Sequence, residues 1–250
     1  MAITIKTEEE ILYMKIGGKI LAEVLQEILK RAREGVSTYE LDIFAEEFIR
    51  DKGGIPAFKG YHGFPATLCT AINEVIVHGI PKKDEFLKNG DLLTIDSGVI
   101  YKDLYTDAAR SIGIGEISKE KERLLKTAKM ALSRATDIAK PNTHLNEIGK
   151  IIEATVKKEG FHVIHNLTGH GVGRKLHEEP IVLNYWEGKS GPLLQPGMTL
   201  AIEPIFSAGT SEMETLKDNW TIVTVDRSTA VQEENTILIT ESGNEILTEI

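Results

Sequence analysis

A repeat at a fixed offset is the tightest constraint on how these 250 residues can fold. Twice the chain runs in the same order: a long helix, a shorter helix, a glycine stop, then strands. The two stops, Gly53 and Gly160, lie 107 residues apart, and Gly90, Leu93, Ile95 and Asp96 match Gly197, Leu200, Ile202 and Glu203 at the same offset. Two separate features sharing one offset point to a duplicated half. The expected halves are about 1–115 and 116–250, within a single domain. A pseudo-two-fold axis would then relate Asp96 to Glu203 and bring acidic side chains from both halves to the centre. The predicted class is α+β, with helices packed outside a curved antiparallel sheet.

The elements themselves are read from spacing and caps. Thr7 and Glu10 form a capping box, followed by Ile11, Met14, Ile20, Leu21, Val24, Leu25 and Ile28 at helical spacing. Ser37 and Glu40 form a second box ahead of Leu41, Phe44, Ala45, Phe48 and Ile49. Pro56 to Pro65 reads as a loop, and Leu68 to Val77 as short strands around Asn73-Glu74. Ser118 or a neighbour opens a third helix, which Pro141 stops. Asn142 or Thr143 is expected to cap a fourth, ended by Gly160. From Phe161 onward the chain reads as strands and Gly-rich turns.

Within this frame the stretch GDLLTIDSGVIYKDLYTDAA, beginning at Gly90, reads as a β-hairpin. With its turn centred between Tyr101 and Lys102, Asp96 and Asp107 would face each other directly, with Cβ atoms roughly 5 Å apart. Like charges so placed are destabilising, and Asp is a poor strand former. Either a divalent metal lies between the carboxylates, or Asp96 begins a turn and Asp107 caps a helix. The hairpin alone leaves both readings open.

Composition narrows the classes. A formal net charge of −9 argues against nucleic-acid binding through a broad basic face. The single cysteine, Cys69, excludes an intrachain disulfide framework and a Cys-rich zinc module, which fits a reducing cytoplasm. No apolar run reaches the roughly 20 residues needed to span a bilayer. The N-terminus lacks the basic-then-apolar pattern of a signal peptide.

The remaining chemistry-bearing residues lie in the second half. His170 sits in Thr168-Gly169-His170-Gly171-Val172-Gly173, where glycines let backbone approach a ligand, and His177 follows seven residues later. A lone histidine is more often a hydrogen-bonded core or surface residue than a ligand. Glu203 ends an apolar run just before Pro204, and Glu234 lies in Gln232-Glu233-Glu234-Asn235. Alternation puts Glu234 on one face with Thr236 and Leu238, and Glu233 on the other, towards solvent. Asp96, Asp107, His170, Glu203 and Glu234 together make four carboxylates and one imidazole. That donor set suits Mn²⁺, Fe²⁺ or Co²⁺ better than a closed structural zinc. Its charge exceeds what one divalent ion balances, so two ions are expected, as in two-metal hydrolases.

The segments AINEVIVHGIP, IDSGVIYKDLYTDAA, TGHGVGRKLHEEP, AIEPI and QEENTILIT resemble, in order and spacing, those of type I methionine aminopeptidases. The resemblance runs over nearly the whole chain, without an N-terminal zinc-binding extension. It implies the two-fold pita-bread fold and a metal-dependent peptidase that removes N-terminal methionine from nascent proteins when the second residue is small and uncharged. It implies Asp96, Asp107, His170, Glu203 and Glu234 as metal ligands, with Glu234 bridging and Glu203 also relaying a proton to the departing amine. His78 and His177 would hydrogen-bond substrate, and Tyr61, Phe64, Cys69 and Trp220 would form the methionine pocket. A cytoplasmic monomer is expected, acting on methionyl peptides at or near the ribosome, with no nucleic acid or membrane partner of its own. Phe64 stands where Tyr is frequent and Asn235 where His is frequent, which touches pocket polarity and the surroundings of Glu234. The sequence leaves two other readings open. One is a related X-Pro aminopeptidase or dipeptidase, which usually carries an extra N-terminal domain. The other is a metal-free peptide-binding module.

Overall fold

The computed structural model describes residues 2–249. Helix α1 (Glu8–Arg31) opens where expected: Thr7 accepts from the Glu10 backbone and the Glu10 carboxylate accepts from the Thr7 backbone. Its face carrying Met14, Leu21, Leu25 and Ile28 is buried. Ser37 and Glu40 cap α2 (Thr38–Asp51) in the same way. The strands β1 (Ile55–Pro56), β2 (Leu68–Ile72), β3 (Val75–Val77), β4 (Leu92–Tyr101) and β5 (Leu104–Gly113) complete the first half. The stretch from Pro56 to Pro65 is not wholly loop, since it begins in β1 and holds a short 3₁₀ turn at Tyr61–Gly63.

The second half repeats this plan. It contains α3 (Lys119–Ile138), α4 (Asn146–Lys158), β6 (His162–Val163), β7 (Gly169–Gly171), β8 (Glu178–Val182), β9 (Thr199–Ile202) and β10 (Ile205–Ser207). It continues through β11 (Met213–Thr215), β12 (Ile222–Thr224), β13 (Ala230–Gln232), β14 (Asn235–Ile239) and β15 (Asn244–Ile246). The offset of 107 seen in the sequence carries Asp51 to Lys158, the last residues of α2 and α4, and carries β1 onto β6. The paired glycines share one backbone conformation: φ is 82° and 81° at Gly53 and Gly160, and 95° and 85° at Gly90 and Gly197. Such positive φ costs a residue with a Cβ but not glycine, which is why these positions punctuate both halves. The correspondence ends after β10, where β11 and β12 intervene.

The fourth helix departs from expectation at its start. Neither Asn142 nor Thr143 caps it. Asn142 adopts φ 67° in the preceding turn, and the helix begins at Asn146 after Leu145, with no side-chain cap. The sequence places a good cap residue there, but backbone bonds from Asn142, Leu145 and Asn146 to Leu194, Pro192 and Ser190 set the entry instead.

The hairpin forms with a different turn. Lys102 and Asp103 are its two central residues, with φ 50° and 63°, and Tyr101 pairs with Leu104. Asp96 therefore faces Ala109, while Asp107 faces Gly98. The two aspartates are diagonal neighbours, not direct partners. Both still lie on one face, because the register moved by two in residue sum and left the period-2 alternation intact. Turns needing φ > 0 at both positions favour Asn-Gly or Asp-Gly. Asp103→Gly is expected to stabilise the protein by about 0.5–1 kcal/mol, read as a rise in denaturation midpoint with an unchanged m value.

Strand β4 lies at the heart of the first sheet, flanked by β2, β1 and β5, all antiparallel. The second half builds a five-stranded sheet in the order β15-β14-β9-β7-β8. One apolar core lies under α1 and α2 (Leu21, Ile28, Leu41, Leu93, Ile95), and another under α3 and α4 (Leu124, Ile148, Leu200, Ile202, Phe206). Met14, Leu104, Val172, Ala201, Leu238 and Leu247 join the halves. Among the described residues no helix is long and apolar enough to cross a membrane.

Candidate active site

Five strands converge where the halves meet. Asp96 and Asp107 project from β4 and β5, His170 from β7, Glu203 follows β9, and Glu234 precedes β14. The halves are stitched together at this point: the Thr236 hydroxyl accepts from Asp107 N at 2.9 Å and donates to Asp107 O, and Glu234 N donates to Ala109 O at 3.0 Å. Carboxylates from the two halves are thus held together by the Thr236 hydroxyl and one backbone bond. All the site residues anticipated from sequence, namely His78, His177, Tyr61, Phe64, Cys69, Trp220 and the five candidate ligands, line one cavity of about 490 Å³.

Its acidic end is buried. Single donor atoms of Asp107, His170 and Glu234 lie within 4.8 Å of one another. His170 Nε2 is 3.6 Å from Glu203 Oε1 and 3.8 Å from Asp107 Oδ2. His170 Nδ1 is 2.9 Å from the Gly171 carbonyl, which can only accept, so the proton resides on Nδ1 and the Nε2 lone pair faces the carboxylates. Burial, helped by the nearby His177, draws the His170 pKa down to about 3, so protonation does not relieve this arrangement. Burial lifts the Asp96 carboxyl to about 7. It lifts Asp107, Glu203 and Glu234 well above their ordinary range, and their mutual repulsion adds to the effect. Asp96 Oδ1, Asp107 Oδ1 and Glu234 Oε1 are buried without a hydrogen-bond partner. Unpaired buried oxygens cost free energy, and the crowded carboxyls resist ionising while nothing positive lies among them. A divalent cation answers both. Hard oxygens plus one imidazole with an oriented second nitrogen are the donors such an ion takes.

The other end is apolar and aromatic. Phe64 and Trp220 pack edge to face with centroids 5.1 Å apart. Cys69 pairs with Asp96 across β2 and β4, so the apolar recess and the carboxylates share one sheet face. Burial, then the Asp96 charge, pushes the Cys69 thiol up and keeps it neutral. Between the two ends stand two histidines. His78 is held at φ 58°, a costly conformation for a non-glycine residue, beside Trp220. His177 shares a 2.9 Å hydrogen bond between its Nδ1 and the Tyr61 hydroxyl. Burial lowers the pKa of both, so each is neutral near pH 7.

Two residues change the sequence reading. Glu233 does not face solvent. It is buried and accepts from Ser111 N at 3.1 Å. Burial raises its carboxyl, with Arg110 opposing. The strand here is covered on both faces, so alternation cannot mark an outside. Gln232 joins the cluster of site residues, which the sequence reading does not include. Its Nε2 donates to Glu203 Oε2 at 3.1 Å and to Glu234 Oε2 at 3.4 Å, bridging two carboxylates. Its position two residues before Glu234, on the same strand face, was the available signal.

The model of metallopeptidase family M24 matches residues 13–241. A methionine aminopeptidase of Clostridium acetobutylicum is 44% identical over 246 residues, covering 98% of each chain. The crystal structure of a methionine aminopeptidase from Thermotoga maritima superposes with a TM-score of 0.98 at 40% identity, covering 100% of both chains. A prolidase from Pyrococcus furiosus gives 0.81 at 27% identity, covering 98% of this chain but 65% of its own. The pita-bread fold expected from the sequence is the one these neighbours share.

Proposed function

This chain belongs to metallopeptidase family M24, and on that premise we propose that it removes N-terminal methionine from polypeptides whose second residue is small and uncharged. The observation that carries this reading is the junction, within one cavity, of an aromatic, apolar recess and a buried set of candidate divalent-cation ligands. The similar aminopeptidases match the chain end to end, whereas the prolidase carries a further third of its length.

In this reading the whole chain is one catalytic domain with halves of about 1–115 and 116–250. Asp96, Asp107, His170, Glu203 and Glu234 would hold two divalent ions of cobalt, manganese or ferrous iron. When bound, such ions polarise the scissile carbonyl and lower the pKa of water. The methionine side chain enters between Tyr61, Phe64, Cys69 and Trp220, where sulfur meets aromatic edges. His78 and His177 donate hydrogen bonds to the substrate carbonyl as it becomes tetrahedral. Glu203 takes a proton from the attacking water and delivers it to the departing amine. Gln232 orients the Glu203 carboxylate. The enzyme acts as a cytoplasmic monomer on emerging chains, close to the ribosome.

The test is a peptide panel. Met-Ala and Met-Gly peptides are expected to be cleaved and Ala-Pro peptides spared. EDTA abolishes the activity and Mn²⁺ or Co²⁺ restores it. Cleavage that survives chelation sinks the metal mechanism, and a preference for Ala-Pro moves the chain to the prolidase activity. His78→Ala is expected to fold and bind metal normally yet lose about 10²-fold in kcat, the usual cost of one transition-state donor. A fall in metal content, measured by mass spectrometry, would instead make His78 part of the ion site.

A further inference from the structure

Lys6 is buried, its side chain only 1% exposed, and nothing in the chemistry above uses it. Its Nζ lies 2.7 Å from Glu178 Oε2, and Thr4 Oγ1 bonds to both groups. The other Glu178 oxygen accepts from Lys175 N at 3.0 Å. Burial alone would raise the Glu178 carboxyl, but hydrogen bonds from Lys6 and Thr4 outweigh it and hold the group below its ordinary value. One further link ties the same segments, and another anchors the strap to the turn before β9. Arg174 makes a two-pronged pair with Glu10, at 2.6 and 3.0 Å, and Lys6 N donates to Gly197 O at 2.8 Å. Gly173, at φ 150°, lies so close that a Cβ there would sit 2.1 Å from Lys6 Cε.

The N-terminal segment thus passes under residues 173–178 and grips them. That loop has no helix or strand of its own before β8, and it carries His177. A buried ion pair is seldom the cheapest way to gain stability, because desolvation offsets its attraction. What it supplies is direction: a charge on a short tether fixes the carboxylate next to His177 in one place.

We propose that Lys6 is a positioning residue for His177, acting through Glu178 to fix the loop that aims the imidazole at the substrate. The proposal rests on the assignment of His177 to the substrate. It extends the working site to a strap of chain outside the cavity.

The test compares Lys6→Met and Glu178→Gln with the unaltered protein. With Mn²⁺ loaded and a Met-Ala peptide, Lys6→Met is expected to lose about 10- to 100-fold in kcat, the scale of an ångström-level misplacement. KM and bound metal stay nearly unchanged. Glu178→Gln, which keeps the shape and the Lys175 bond, loses less in the same direction. Side-chain ¹⁵N resonances of the Zn²⁺-loaded protein give a second readout. Those of His177 shift in both variants, while those of the distant His144 and His162 stay in place. Unperturbed His177 resonances, or a kcat loss that only tracks lost metal or lost fold, overturn the proposal. Should Lys6→Met not fold, Glu178→Gln decides by the same two readouts. If the unaltered protein cleaves no methionyl peptide, the proposed function fails, and the resonances still report whether Lys6 positions His177.

Discussion

Glu203→Gln is expected to cleave a Met-Ala peptide about 10²- to 10⁴-fold more slowly than the unaltered protein, the range spanned by loss of a positioned proton acceptor. The substitution keeps the size and planarity of the side chain. It removes the charge and the capacity to take a proton from water. Glu203 Oε2 accepts from Gln232 Nε2 at 3.1 Å, and Oε1 faces His170 Nε2 at 3.6 Å. A Gln amide oxygen can occupy the place of Oε2 and keep the Gln232 bond, so the local packing survives. Metal affinity falls modestly, because one ligand becomes neutral while four others stay. The loss should therefore appear in kcat with little change in KM, the signature of an interaction needed only in the transition state. Wild-type turnover in the metal-loaded variant would remove Glu203 from the proton transfer. A collapse of metal binding would show that it serves mainly as a ligand.

Much of this site was legible because its features are carried by period and offset. The hairpin aspartates stay on one face under any register shift that preserves parity, so a misplaced turn centre cost only their direct opposition. The offset of 107 survived as matching helix ends and glycine conformations, since both halves stop their helices by the same backbone device. The illegible parts depended on tertiary cover. Glu233 was assigned to solvent because alternation supplies two faces, and only the packed structure tells that both are buried. Asn142 looked like a cap, but strand-like pairing of His144 with Leu193 fixed the approach to α4. Gln232 was overlooked for a different reason: an amide carries no charge to draw attention, and its value lies in spanning Glu203 and Glu234, residues whose closeness is a product of folding.

Stripped of divalent ions, the protein is expected to lose stability as pH rises from about 6.5 to 8, and to gain it over the same range with Mn²⁺ present. Carboxyls that titrate near 4 in the unfolded chain are raised here: Asp96 to about 7, and Asp107, Glu203 and Glu234 well above their usual range. A raised acid means that the folded state holds more protons than the unfolded one, so stability is present at low pH and is lost as pH climbs through the folded value. The buried histidines work in the opposite sense. His170, near 3, and His78 and His177, also lowered, add stability as pH rises toward their unfolded value near 6.5. Below pH 6.5 the two groups offset each other. Above it only the carboxyls still titrate, so stability falls as pH climbs through the Asp96 value near 7. Tm falls with it over the same range. Manganese reverses the slope because it binds the deprotonated ligands and stabilises by about 2.7 kcal/mol at a hundredfold excess over Kd. Melting curves with EDTA and with Mn²⁺ at four pH values should therefore diverge as pH increases. Parallel curves would mean that these carboxylates are not what the ion binds.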